Sequence, residues 1–170
     1  MKKIFVIMIA SLLLCPEARA ATIEAARIEG SPVVTEQDVL TVGRIPDGVL
    51  DLFHRKGGRV LYVSSPLETR CGADYTVYGL YCPGSQKIYI RSGAETGGIL
   101  AHELGHFLWH ETRPSWPAEV RVAVTDPEEF AEAYSLCCRS GTTGRADLDA
   151  AIETINQTAE KLLRREKNAE

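Results

Sequence analysis

The sequence lacks a basic tract and a long apolar span, and both absences narrow the range of possible functions. Its 19 Lys and Arg residues are outnumbered by 23 Asp and Glu residues, which gives a formal net charge of −4. Nucleic-acid binding usually depends on a basic surface that neutralises phosphates, so we expect no nucleic-acid partner. No internal repeat or low-complexity stretch occurs. About 150 residues beyond the N-terminal segment are enough for one domain with a sizeable core.

The only extended apolar run, Ile4 to Leu14, is shorter than the ~20 residues that cross a membrane. It follows two lysines and precedes the small-residue ending Ala18-Arg19-Ala20, which is typical of a cleaved secretory signal. We therefore expect residues 1–20 to be removed and residues 21–170 to form a single exported domain, periplasmic or secreted, without a stable membrane anchor. Removal takes away three basic residues and one acidic residue, so the formal charge changes from −4 to −6.

Cysteine is scarce, and no CxxC pair is present. The predicted mature chain keeps Cys71, Cys82, Cys137 and Cys138, a spacing that does not resemble the paired knuckles of a structural zinc site. Four cysteines are an even number, and exported proteins meet an oxidising environment, so two disulfides are expected. Because adjacent cysteines on a helix cannot easily bond to each other, we expect Cys137 and Cys138 to pair with Cys71 and Cys82. The alternative is that Cys71 closes on Cys82 alone.

The most informative feature that the sequence does contain is the run His102-Glu103-Leu104-Gly105-His106. Residues four apart on a helix differ by only ~40° in azimuth, so the two imidazoles face one point in space. Neutral imidazole suits zinc, and a catalytic zinc keeps an open position for water. Glu103 can lie beside that water and take its proton. We therefore expect His102 and His106 to bind Zn²⁺ and Glu103 to be the catalytic base.

A third protein ligand has to come from downstream, and Glu132 is the first choice. It lies within the otherwise apolar stretch 130–134, where a buried carboxylate is costly unless a metal compensates it. Glu128, one turn earlier on the same face, is the fallback, whereas Glu129 has a helix-capping role. His110 is a less suitable ligand, because its azimuth drifts another ~40° away from His102.

The pattern HExxHxxGxxH does not continue in this chain. It would require glycine at position 109 and histidine at position 112, where the chain has Trp109 and Thr112. That difference excludes the metzincin arrangement and favours two histidines with a distant glutamate.

The apolar periodicities predict an α+β fold. Residues 22–45 indicate an extended, partly strand-like entry, and residues 111–125 a proline-punctuated connection. Asp126, Pro127 and Glu129 predict the start of a helix that reaches about Arg139 and stops at Gly141. The other predicted elements are a helix at 46–56, a buried strand at 59–64, a hairpin of 76–82 and 87–91, the HExxH helix that starts near Thr96, and a last amphipathic helix that buries Leu148, Ile152, Ile155, Ala159 and Leu162.

The HELGH run, followed by the Phe-Ala-Glu-Ala element at 130–133, resembles the gluzincin metalloproteases. More narrowly, it is similar to the group formed by the catalytic domain of anthrax toxin lethal factor and the Pro-Pro endopeptidases. The resemblance implies a zincin-like fold, with a small mixed or antiparallel sheet packed on the HExxH helix, a second helix that carries the glutamate ligand, and a C-terminal helix. It also implies that His102, His106 and Glu132 bind zinc while Glu103 acts in peptide hydrolysis.

The chain departs from these relatives at one position. They place a tyrosine about seven residues before the glutamate ligand, where it stabilises the oxyanion, but Thr125 stands here. The oxyanion donor is therefore open among Tyr78, Tyr81, Tyr134, Arg121 and His110.

These patterns predict an exported zinc endopeptidase that acts on a peptide or protein substrate. The substrate would lie extended along an edge strand near residues 87–91, and Trp116 would either wall the cleft or pack over a loop. A catalytically silent zincin-like binding module of the cell envelope is the main alternative. A disulfide-stapled envelope protein with a chance motif is a third interpretation. The sequence indicates no oligomeric state.

Overall fold

The computed structural model describes residues 28–29, 35–64, 67, 78–91, 94 and 96–169, and within them the chain is mixed α+β. The predicted signal at 1–20 and Cys71 lie outside the described residues. The elements are β1 (Ile28–Glu29), α1 (Glu36–Val42), α2 (Asp47–Arg55), β2 (Arg59–Val63), β3 (Gly79–Cys82), β4 (Lys87–Arg91), α3 (Thr96–Thr112), α4 (Ala118–Ala123), α5 (Pro127–Ser140) and α6 (Ala146–Lys167). Short 3-10 turns at Pro83–Ser85 and Arg113–Ser115 follow β3 and α3.

The strands form a mixed sheet in the order β1-β2-β4-β3. Strands β1, β2 and β4 run parallel, and β3 pairs antiparallel with β4 through the register Gly79↔Ile90 and Tyr81↔Ile88. The predicted hairpin is therefore confirmed over 79–91. The expectation that an edge strand lies near 87–91 is wrong, because β4 is paired on both sides. Among the described strands, the free edge beside the HExxH helix belongs to β3.

Helix α2 and strand β2 follow their sequence patterns. Helix α2 buries Val49, Leu50, Leu52 and Phe53 and is followed by Gly57 at φ 82°, a left-handed conformation that glycine adopts at little cost. Strand β2 is less buried than predicted, since Val60 is enclosed while Arg59 is exposed.

The segment predicted as extended and partly strand-like over 22–45 contains strand β1, but its later part forms helix α1. Thr35 and Asp38 form a capping box, in which the Thr35 hydroxyl accepts from the Asp38 backbone N–H and the Asp38 carboxylate accepts from the Thr35 N–H. The helix then buries Val39 and Val42 at helical spacing. The β-branched residues of this segment favour a strand, so the prediction from local propensity was wrong. The capping box stabilises the helix instead.

Asp38 also links α1 to the HExxH helix α3. Its carboxylate is fully buried and accepts a hydrogen bond from the backbone N–H of Gly97, at 2.5 Å, in the first turn of α3. A Cβ on Gly97 would lie 2.8 Å from the Asp38 Cα, so only glycine permits this approach. One carboxylate therefore satisfies orphan N–H groups at the start of two helices.

The predicted cap of α5 is confirmed at Asp126, whereas the predicted capping role of Glu129 is not, because its carboxylate pairs with Arg145. Asp126 accepts a hydrogen bond from the Glu129 N–H at 2.8 Å, Pro127 opens α5, and Gly141 ends it at φ 86°. The preceding connection is more regular than predicted, because it contains α4 and a 3-10 turn. Trp116 does not wall a cleft: it is 3 % exposed and donates its indole N–H to the Thr112 hydroxyl at 2.6 Å.

The core lies between α3, the sheet and the helices α2, α5 and α6. Phe107 on α3 packs edge-on against Phe53 of α2, with ring centroids 5.1 Å apart, and against Tyr81 of β3 at 6.0 Å. Helix α6 buries Leu148, Ile152, Ile155 and Ala159 as predicted, but Leu163 is more deeply buried than Leu162. Among the described residues, none of the helices has the length and hydropathy of a membrane span.

The expected cross-pairs of the vicinal cysteines are wrong, because Cys137 and Cys138 are both free thiols on α5. Cys82 is disulfide-bonded, and its partner lies outside the described residues. The alternative closure of Cys71 on Cys82 therefore stays a prediction.

Replacing Asp38 by alanine should lower the free energy of unfolding by about 2 to 4 kcal/mol, because the buried N–H of Gly97 and the partly buried N–H of Thr35 both lose their acceptor. Asp51→Ala, at an exposed position of α2, is the matched control and should change it by less than about 0.5 kcal/mol. Denaturant unfolding measures both. Equal stability of the two variants would contradict the bridging role of Asp38.

Candidate metal centre

His102 and His106 lie one turn apart on α3 and direct their rings to the same point. Their Nε2 atoms are 3.2 Å apart, and the ring centroids are 4.9 Å apart at an interplanar angle of 77°. Both side chains are partly buried, at 25 % and 16 % exposed. This is the convergence predicted from the spacing of the two histidines.

Glu128, in the first turn of α5, completes the group. Its carboxylate lies 3.3 Å from the Nε2 of His106 through Oε1 and 3.6 Å from the Nε2 of His102 through Oε2. The three residues offer ligand atoms that all lie within 4.8 Å of one another. Two imidazole nitrogens and a carboxylate oxygen on one point are a donor set that fits a divalent metal ion. His102, His106 and Glu128 therefore form a group that could hold a metal.

Glu132, the first choice from the sequence, lies next to this group without joining it. Its Oε2 is 3.6 Å from Nδ1 of His102, the ring nitrogen other than the one that faces His106. The side chain is 73 % exposed, so the argument that burial would require compensation by a metal does not hold. Glu128 and Glu132 are one turn apart on the same face of α5, and the structure groups the fallback residue with the histidines.

The glycine of the HELGH run sets the distance between the two ligand helices. A Cβ on Gly105 would lie 2.7 Å from the Cα of Ala131 on α5. A side chain at Gly105 would hold the two helices farther apart. Close packing of Gly105 on Ala131 therefore brings the first turn of α5, with Glu128, within reach of the histidines.

Glu103 is the buried acid of the site, with 6 % of its surface exposed. Its Oε2 accepts a hydrogen bond from the backbone N–H of Tyr81, at 2.7 Å, on the edge strand β3. Burial raises the pKa of Glu103 to about 8, and the hydrogen bond from Tyr81 opposes that rise. A Cβ on Gly79 would lie 2.5 Å from Oε1 of Glu103, so the glycine of β3 makes room for the carboxylate.

Burial of the His106 ring favours its neutral form. Burial lowers its pKa, while the nearby Glu128 carboxylate acts in the opposite direction. Neutral imidazole is the ligand form of histidine. The low pKa of His106 therefore favours the form that binds a metal near neutral pH.

The group formed by His102, His106 and Glu128 borders a cavity of about 260 Å³ between β3, α3 and α5. It is lined by Gly79, Leu80, Tyr81, Pro83, His102, Glu103, His106, His110 and Glu128.

The cavity divides the five candidate oxyanion donors. Tyr81 and His110 line it, with ring centroids 6.0 Å apart. Tyr134 is fully buried in the core, Tyr78 is exposed outside the lining, and Arg121 lines a neighbouring cleft. Of the five candidate oxyanion donors, Tyr81 and His110 are therefore the two that line the cavity.

Two contributors to the site were missed from the sequence, namely the Tyr81 N–H and Gly79. Both act through the backbone of β3, and no local pattern distinguishes a strand N–H that faces a carboxylate from one that faces another strand. The only available signal was the glycine within a strand pattern, which suggests a close approach.

Comparison with known proteins does not assign the chain to a family. The sequence matches no protein-family model, and a search of curated proteins gives no match.

Gly105→Ala should separate α3 from α5 and weaken metal binding by about tenfold, because Glu128 would no longer reach both histidines. Gly84→Ala is the matched control, since nothing lies within 4 Å of a Cβ built on Gly84. Competition of each variant with a chromogenic chelator measures the affinity. Unchanged affinity in Gly105→Ala would show that helix separation does not control the centre.

Glu103→Gln should stabilise the metal-free protein increasingly as the pH rises from about 5 to 8. The folded state holds a proton on Glu103, at a pKa of about 8, that the unfolded state loses near its ordinary value of 4.5. The wild-type protein therefore loses stability with rising pH, by up to about 1.4 kcal/mol per pH unit, while the glutamine variant lacks this loss. Thermal unfolding after chelation measures the difference, and a pH-independent difference would contradict it.

Proposed function

We propose that the protein is an exported zinc endopeptidase in which His102, His106 and Glu128 would hold the metal and Glu103 is the general base. The observation that carries the proposal is the convergence of two Nε2 atoms and one carboxylate, with a buried second carboxylate, in one cavity. When bound, zinc supplies a Lewis acid and lowers the pKa of a water toward ~7. The identity of the metal rests on the nitrogen-rich donor set.

Glu103 has the environment of a proton carrier. A carboxylate with a pKa near the working pH takes a proton from water and returns it to a leaving amine more readily than an ordinary glutamate. Burial supplies the raised pKa, and the Tyr81 N–H fixes one oxygen of the carboxylate. A group that only supported a structural metal would need no such base beside its histidine.

The edge strand β3 supplies a docking surface for an extended peptide. In the ladder, the Tyr78 carbonyl accepts from Arg91 at 2.8 Å, whereas the Tyr81 N–H points away from β4 to Glu103. Residues alternate in an antiparallel strand, so the main-chain groups of Gly79 also face outward. A peptide that pairs with the main chain of Gly79 would run along the cavity that contains the histidines.

The proposed architecture is zincin-like, and the resemblance to gluzincins enters only at this level. It is supported by a mixed sheet whose antiparallel edge strand borders the HExxH helix, and by a second helix that carries the glutamate. The proposed mature domain is 21–170, and the predicted export signal places it in the periplasm or outside the cell. A peptide or protein is the proposed substrate.

Single substitutions separate the proposed ligands from the base. Glu103→Gln should retain one zinc per chain yet lose peptide hydrolysis, by about 10³-fold or more. His106→Ala and Glu128→Ala should weaken zinc binding itself, whereas Glu132→Ala, the matched control from the same helix face, should weaken it less. Metal analysis and chelator competition measure these effects. A larger loss in Glu132→Ala than in Glu128→Ala would return Glu132 to the role of third ligand.

Activity is best sought with a diverse peptide library, incubated with and without chelator and analysed by mass spectrometry. We expect cleavage that chelator abolishes and added zinc restores. Zinc binding with peptide capture but no cleavage would favour a silent binding module instead. Absence of bound metal from purified, unchelated protein would end the proposal.

A further inference from the structure

A second cleft adjoins the metal cavity, and its lining is basic. It has a volume of about 250 Å³ and is lined by Trp109, His110, Arg113, Pro114 and Arg121. His110 lines both the cleft and the metal cavity, so the two lie next to each other at that side chain. The cleft is thus placed to receive part of a molecule that occupies the metal centre.

No carboxylate lines this cleft, although the chain as a whole is acidic. Neither Arg113 nor Arg121 forms an ion pair with an acidic side chain of the described residues. Two guanidinium groups that share a concave surface without a counter-charge repel each other. An incoming anion would relieve that repulsion.

Arg113 is held in a fixed position rather than freely solvated. Its guanidinium lies 4.7 Å from the centroid of the Trp109 ring, a cation–π contact that orients its plane. Its Nε is buried and has no hydrogen-bond partner among the described residues. A buried N–H without an acceptor is costly, and a planar guanidinium binds a carboxylate through two parallel N–H donors.

The position of the cleft along α3 relates it to the cleaved bond. His110 is four residues beyond the ligand His106 and Arg113 is seven beyond, which is roughly 6 to 10 Å along the helix axis. An extended peptide advances by ~3.3 Å per residue, so this span corresponds to about two or three residues of substrate.

We propose that the cleft of Arg113, Arg121 and His110 is a specificity subsite that binds a carboxylate of the peptide substrate, two or three residues from the cleaved bond. The inference rests on the proposed function and adds the chemical class of the substrate to it. The carboxylate belongs either to an acidic side chain or to the C-terminus of a short peptide.

The test compares peptides that differ only in this charge. A bond that the wild-type protein cleaves is placed in N-acetylated, alanine-rich decapeptides. Each decapeptide carries a single Glu or Gln near this bond and has either a free or an amidated C-terminus. We expect kcat/KM to be at least about tenfold higher for the charged member of one pair, as charge-assisted hydrogen bonds to arginine predict. A response to Glu identifies a side-chain carboxylate, and a response to the free terminus identifies the C-terminal one.

Two variants and a control locate the preference. Arg113→Gln and Arg121→Gln should each reduce the ratio to about twofold or less while they leave cleavage of the uncharged peptide unchanged. Arg164→Gln, at an exposed position on α6, should keep the full ratio. Because Arg121 is exposed, its variant decides the matter if the Arg113 variant fails to fold. Equal cleavage of charged and uncharged peptides by the wild-type protein would overturn the subsite.

A binding measurement separates the two proposals. Metal-free Glu103→Gln protein is titrated with the same peptides, and quenching of the tryptophan fluorescence, to which Trp109 contributes, is followed. Tighter binding of the charged peptide without any cleavage by the wild-type protein would refute the endopeptidase and retain the subsite. Cleavage with equal binding would refute the subsite alone, and neither cleavage nor preferential binding would refute both.

Discussion

The approach of α3 to α5 at Gly105 and Ala131 is the constraint on which the candidate centre depends. A glutamate side chain spans only a few ångströms, so a carboxylate on one helix contacts imidazoles on another only when the two backbones are nearly touching. A Cβ atom on Gly105 would lie only 2.7 Å from the Cα of Ala131, which shows how close the two backbones are. The burial of Phe130 and Tyr134 on α5 then holds the second helix against the first, so that ordinary apolar packing supplies the precision of a polar site.

The buried carboxylate of Glu103 lies in the same core and works against its stability. Protein interiors favour neutral groups, and a lone acid in such surroundings retains its proton well above the ordinary range. An apolar residue or a glutamine would suit the fold better at this position. A residue that is unfavourable for folding and well placed for proton transfer is the combination expected of a functional site rather than of a packing position.

Local patterns in the sequence were sufficient for the features that depend on local chemistry. The histidine spacing, the Asp126 cap, the glycine that ends α5 and the β3–β4 hairpin are each determined within a few residues, and each is found in the structure. The features that were wrong depend wholly or partly on distant contacts, and for α1 the local cap of Thr35 and Asp38 was also overlooked. Helix α1 is stabilised by the capping box and by Asp38 against α3, and the position of β4 inside the sheet is set by its pairing with β2.

The identity of the carboxylate that joins the histidines could not be decided from sequence for a similar reason. Glu128 and Glu132 are four residues apart, so they share a helix face, and only the axial position of α5 along α3 decides which of them lies opposite the Nε2 atoms. That position depends on Gly105 meeting Ala131, a pair separated by 26 positions in the chain. Similarly, no sequence signal marks Tyr81 as the donor to Glu103, because a main-chain N–H carries no residue identity.

The double role of Asp38 has a consequence for how the molecule opens. One carboxylate serves the capping box of α1 and the first turn of α3, and Gly97 is only five positions from His102. Fraying of α1 would withdraw the acceptor from α3, and fraying of α3 would leave the buried charge of Asp38 without its Gly97 donor. The two helix starts are therefore expected to exchange their amide protons as one cooperative unit. Opening of α1 would then be transmitted to α3, which carries the histidines, through a single side chain.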